Sequence, residues 1–181
     1  MIDREPYTPG PARGAEVRKI GEKWTLILVR ELRHSPEKVW QALIDPAQLR
    51  EWAPFVVDGD MGTAGNKVNL TWVGNPAPQE TTVKQADAPR TLEYGDIRWE
   101  LEPSGNGTRL TLWTNIARRF VSMGAAGWHI AFDVLDRLLS GNPIGRIAGA
   151  DAIHSDGWQR LNVEYAQQFG VEAPAWPPRK S

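Results

Sequence analysis

His129 and Asp133 stand four residues apart, a spacing that on a helix lets an imidazole and a carboxylate pair or share a metal ion. Asp151, His154 and Asp156 form a second such cluster. Neither has a third ligand at a recognisable spacing, and the chain holds no His-Glu-x-x-His or EF-hand pattern. Both clusters therefore read as surface polar groups or helix caps, with no metal site. His34, directly before Ser35, reads as a turn residue. Nucleophilic catalysis has less support still. There is no Gly-x-Ser-x-Gly elbow, and Gly105-Asn106-Gly107 lacks the strand-to-helix setting of a phosphate loop. Arg30, Glu80, Glu93, Tyr94, Arg98 and Glu100 fall on predicted strands. Inside an apolar cavity such a carboxylate or tyrosine would have its ionised form disfavoured, which suits proton transfer. Their alternation with apolar neighbours points instead to a solvated sheet face. No catalytic residue is assigned.

The aromatic residues carry more information. Nine tryptophans are many for 181 residues. Trp52, Trp72, Trp99, Trp128 and Phe132 suit either of two roles, filling a core or lining a ligand pocket with large flat side chains of low entropic cost. The remaining composition narrows the class. Without cysteine there is no disulfide framework, thiol nucleophile or thiolate zinc site. A formal charge of -1, with only Arg118-Arg119 as a basic spot, argues against nucleic acid or an anionic membrane as partner. The apolar runs fall far short of the ~20 residues that span a bilayer. Met1 to Pro6 has no signal-peptide core, so a cytoplasmic location is expected.

The elements that must position these side chains follow from periodicity. Trp24–Leu32 is apolar on both parities, as in a strand covered on both faces. Ser35-Pro36-Glu37 opens a short helix carrying Val39, Trp40, Leu43 and Ile44, and Asp45-Pro46 opens a second that Pro54 stops. Period-two runs follow at 68–72, 92–94, 97–101 and 110–116, with 79–86 a weaker, more polar strand near an edge. Gly95-Asp96 marks one tight turn and the Asn106-Gly107 dipeptide another, the latter expected to hold both turn residues at positive φ. Beyond Arg118 the period becomes helical, with Trp128, Phe132, Leu135, Leu138 and Leu139 on one stripe. Glycines and Pro143 interrupt the pattern at 141–149, and a second helix runs from about Asp151 to Phe169. Strands first and long helices last is an α+β order. A Pro- and Gly-bearing stretch at 1–20 reads as a flexible arm, 21–170 as a single domain, and 171–181 as a proline-rich tail.

Arg30, the run Ser35 to Pro46, Leu49 and Trp52, then Gly107 to Leu112, Ala125 to His129, and Tyr165 with Phe169-Gly170 together resemble the SRPBCC (START-like) superfamily. Within it they are most similar to the heat-shock protein 90 ATPase activator homologue-like branch. The resemblance implies a helix-grip fold, in which a curved antiparallel sheet wraps a long C-terminal helix, here expected to break near 141–149. It implies a hydrophobic cavity between sheet and helix, for which Trp52, Trp72, Trp99, Leu101, Leu112, Trp128, Phe132 and Leu135 are the candidate lining residues. The expected function is binding of a small apolar or amphipathic molecule, without a cofactor. The same resemblance allows a chaperone-ATPase activator-like interaction module, or a cyclase, dehydratase or hydrolase using the cavity. A chaperone or a second copy of the chain, through a sheet face around Trp113, are the further candidate partners.

Overall fold

The computed structural model describes residues 7–176. Eight antiparallel strands form one curved sheet in the order β1-β2-β8-β7-β6-β5-β4-β3. Their bounds are β1 Ala15–Ile20, β2 Lys23–Leu32, β3 Phe55–Asp58, β4 Lys67–Trp72, β5 Gln79–Asp87, β6 Thr91–Tyr94, β7 Ile97–Ser104 and β8 Gly107–Asn115. Helices α1 Pro36–Ile44 and α2 Pro46–Trp52 follow β2, and α3 Val121–Leu139, α4 Ala150–Ile153 and α5 Asp156–Phe169 follow β8. This is the expected helix-grip arrangement. Among the described residues no helix is long and apolar enough to cross a membrane.

Local chemistry explains the corner after β2. The Ser35 hydroxyl accepts the Lys38 N–H at 3.2 Å, capping α1 ahead of Pro36. Asp45 then serves two helices: its N–H closes α1 onto Gln41 O, and its carboxylate accepts the Ala47 N–H that opens α2. One residue thereby ends the first helix and starts the second.

Three expectations need correction. Residues 15–20 are not part of a free arm but pair with β2 from Ala15↔Leu28 to Ile20↔Lys23. Edge pairing supplies backbone hydrogen bonds to a strand that is mostly exposed, and this support leaves no trace in hydropathy. Residues 7–14 are also tied down, as described below; residues 1–6 and 177–181 lie outside the described structure. The second correction concerns β5, which is interior, paired with β4 and β6 and bulged between Val83 and Gln85. The third is a turn. The β7–β8 hairpin is centred on Gly105-Asn106, with only Gly105 at positive φ (55°), as in a type II′ turn. Gly107 lies in β8, where a Cβ would come within 2.0 Å of Leu32 O. Gly95-Asp96 turns in the same way, with Gly95 at φ 54°.

The long helix is α3. It ends at Leu139, where the Lys38 ammonium donates to the last carbonyl, and the chain wanders through 140–149 before α4. The break expected near 141–149 is therefore present. Helix α5 forms a further layer, packing on α3 through Trp158, Leu161 and Tyr165, all buried.

Candidate functional site

Helix α3 presents two different surfaces. Toward the sheet, Trp128 and Phe132 meet Trp99 of β7 at ring-centroid distances of 5.6 and 5.9 Å, both edge-on. Trp52 of α2 meets Trp99 at 6.0 Å, while Phe55 of β3 packs against Trp72 at 5.0 Å. Edge-to-face pairs set the positive ring edge against a negative face, which stabilises such a cluster beyond the area it buries. The two innermost indoles are satisfied: Trp52 Nε1–H donates to Ala42 O, and Trp99 Nε1–H to the Tyr94 hydroxyl, each at 3.0 Å.

Six of the eight candidate lining residues belong to this packed interior. Trp52, Trp99, Leu101, Leu112, Phe132 and Leu135 are each at most 2% exposed and do not line the opening described next. Trp72 and Trp128 do border one. It is an opening of about 510 Å³ between the first turns of α3 and strands β4 to β8, walled also by Leu70, Tyr94, Ile97 and Ile116. Two glycines of α3 line it, with different roles. A Cβ on Gly127 would meet nothing within 4 Å, so the missing side chain is cavity volume. A Cβ on Gly124 would press to 2.7 Å from Ile116 Cδ1, so glycine there allows the helix to approach the sheet. Gln79, Glu80, Thr81, Asp96 and Asn115 add polar atoms. Burial pushes the Tyr94 phenol well above its ordinary range, so it stays a neutral donor.

Toward α5 the same helix carries a buried polar network that the sequence reading had placed at the surface. His129 is 1% exposed and Arg30 of β2 is 3% exposed. Arg30 donates to Arg13 O and Val29 O at 2.9 Å, and approaches His129 Nδ1 at 3.2 Å and the Tyr165 hydroxyl at 3.3 Å. The Tyr165 oxygen lies 2.6 Å from His129 Nδ1. With a guanidinium and a hydroxyl both facing Nδ1, the imidazole is neutral and carries its proton on Nε2, 3.6 Å from Asp133. Burial first, then the Arg30, Arg13 and Arg160 charges, lowers the His129 pKa from 6.5 to about 3. Burial raises that of Asp133, which accepts a short hydrogen bond from the Tyr7 hydroxyl.

The network ties down the start of the chain. Ala12 N–H donates to Glu164 at 2.9 Å, Gln168 donates to Ala12 O at 3.0 Å, and Arg160 donates to Gly10 O at 2.9 Å. None of its members lines the cavity. Helical periodicity placed His129 correctly off the sheet-facing stripe; the missing information was that α5 covers the other side. The available signal was α5 itself, whose Trp158, Leu161 and Tyr165 needed a partner.

The remaining candidates are structural. His34 Nε2 lies 3.1 Å from Asp136 and 3.3 Å from Ser140, joining the β2–α1 corner to the end of α3. Arg98 pairs with Glu93 and Glu100 on the exposed face of β6 and β7. Trp113 is half-buried beneath the Arg18 guanidinium of β1, which lies 5.6 Å from its ring. Among the described residues no three metal-ligating side chains converge.

The family described as Activator of Hsp90 ATPase homolog 1-like protein matches residues 33–140, more than half of the chain. The chain belongs to this family. Its match runs from the α1 corner to the end of α3, so β1, β2, α4 and α5 lie outside it. No curated protein is similar enough to match. Among solved structures, CalU16 from Micromonospora echinospora is 21% identical with a TM-score of 0.62, over 86% of this chain and 96% of that one. EF2215 from Enterococcus faecalis, a conserved protein of unknown function, is 17% identical with a TM-score of 0.64, over 87% and 92%. DynU16, a protein in the dynemicin biosynthetic locus, is 20% identical with a TM-score of 0.59, over 69% and 51%. At these identities the likeness is one of fold.

Proposed function

We propose that this protein binds a small apolar or amphipathic molecule in the opening between α3 and the sheet. The observation that carries the reading is the cavity of about 510 Å³ walled by Trp72 and Trp128 and kept clear by Gly127. An apolar hollow with a few polar groups at its margin is the usual form of a small-molecule site. The packed cluster around Trp99 makes the inner wall rigid, so little ordering cost falls on binding. The family description also suggests contact with a chaperone; among the described residues the large exposed apolar side chains on offer to a partner are three, Ile20, Val163 and Trp176.

Titration of intrinsic tryptophan fluorescence with a set of apolar and amphipathic aromatic compounds tests the proposal. Saturable changes are expected, lost in Trp72→Ala and in Gly127→Leu, whose side chain would occupy the site. Binding that survives both substitutions unchanged, or no response to any compound, refutes it.

A further inference from the structure

The opening between α3 and the sheet has a sign. Among the described residues that line it, the charged side chains are two acids, Glu80 and Asp96, and no lysine or arginine joins them. Both acids are exposed, one at the start of β5 and one in the β6–β7 turn, within reach of solvent and of a guest. Asp96 accepts a hydrogen bond from Asn115 Nδ2 at 3.5 Å and, among the described residues, pairs with no cation. Glu80 has Lys67 3.6 Å away, but those side chains are 65% and 71% exposed, so water screens the pair. Lys84 donates to Gly95 O at 2.9 Å and does not line the opening.

The aromatic wall favours the same charge. Trp72 and Trp128 both border the opening and stand almost at right angles, with ring centroids 6.5 Å apart and an interplanar angle of 87°. The face of an indole carries negative potential, and a quaternary ammonium is attracted to it. A carboxylate guest meets the reverse balance. It gives up strong hydration and finds like charge with no counter-ion on the wall.

We infer that the opening takes an amphipathic organic cation, with its apolar body against Leu70, Ile97 and Ile116 and its ammonium group served by the two indoles and the Asp96 and Glu80 carboxylates. The binding role proposed above is the premise; the acids and indoles add the charge of the guest.

Three naphthalenes test this by equilibrium dialysis against the full chain: 2-naphthylmethyl-trimethylammonium, its uncharged carbon isostere 2-neopentylnaphthalene, and 2-naphthylacetate. The cation is expected to bind best and the carboxylate worst. The ratio of cation to hydrocarbon affinity should fall about two- to fivefold in Asp96→Asn, the amount one solvent-screened ion pair supplies, and further when Glu80→Gln is added. Because the ratio is taken within each protein, any change in folding or in cavity shape cancels. Raising sodium chloride from about 0.01 M to about 1 M should weaken the cation and leave the hydrocarbon no weaker. The N-methyl proton resonance reads the indoles separately: it should move upfield on binding, through the ring currents of Trp72 and Trp128. A cation no better than its isostere, a ratio unchanged in Asp96→Asn, an unshifted N-methyl resonance, or preference for the carboxylate would overturn the inference, while binding of the hydrocarbon would leave the binding role intact. If none of the three binds, the binding role fails and this inference goes with it.

Discussion

The two surfaces of α3 solve opposite packing problems. Facing the sheet, the helix carries aromatic and glycine residues, and space remains between the layers. Facing α5, it carries His129 and Asp133, and the contact is closed by Arg30, Tyr165 and the backbone of residues 7–14. The difference follows from what each kind of side chain tolerates. An apolar wall beside a void loses only dispersion contacts, while a buried imidazole or guanidinium without partners loses the full solvation of a polar group. A cavity is therefore cheap on the aromatic side and prohibitive on the polar one.

That contrast can be broken from the polar side first. The unfolded chain takes up the His129 proton near pH 6.5, whereas the folded protein resists it down to about pH 3. Protons thus favour the unfolded state throughout that window, and stability should fall as pH drops, by up to about 3 kcal/mol between pH 6.5 and 4. Asp133 works in the opposite sense: its raised folded pKa means that its protonation favours the folded state and makes the loss shallower. Denaturant unfolding at pH 7 and pH 4 should show the loss in the native protein and much less of it in His129→Asn. An equal loss in both places the acid sensitivity elsewhere.

Tyr165→Phe is a smaller perturbation of the same surface. It removes the hydroxyl shared by Arg13, Arg30 and His129, and should cost about 1–3 kcal/mol at neutral pH while leaving ligand affinity unchanged. A parallel drop in affinity would mean that the two surfaces are coupled through the helix. The smallest effect belongs to the aromatic side. Gly127→Ala places a methyl group in open space on a helix, and should stabilise the protein by about 0.5–1 kcal/mol while weakening binding severalfold. Stability and binding moving apart in one variant is the signature expected of a residue kept small for its vacancy. Both rising together would show that Gly127 does not border the bound molecule.

Much of this architecture is readable from periodicity, because β2, the 97–116 hairpin and both long helices bury continuous stripes. The cap residues Ser35 and Asp45 are readable for the same local reason. Elements supported by something other than their own hydropathy are not. β1 is held by hydrogen bonds to β2, and β3 is a four-residue strand directly after Pro54, too short to show a period. The site divides in the same manner. Trp72 and Trp128 were identifiable as large aromatics, yet nothing in residue type separates them from Trp52 and Trp99, which fill the interior. Volume is a property of how layers meet. The Gly124 and Gly127 pair beside an aromatic stripe was the available hint. For His129 a stripe diagram shows only which side faces the sheet, so a second covering layer looks like solvent.

The span shared with the family stops one residue past α3 and starts one residue after β2. A fragment trimmed to that homology would lack the strand hydrogen-bonded to β8 and both anchors of His129 outside α3, Arg30 and Tyr165. The portion conserved as a family signature is thus smaller than the portion that must fold as a unit, and limited proteolysis should cut outside residues 12–165 before it separates the two.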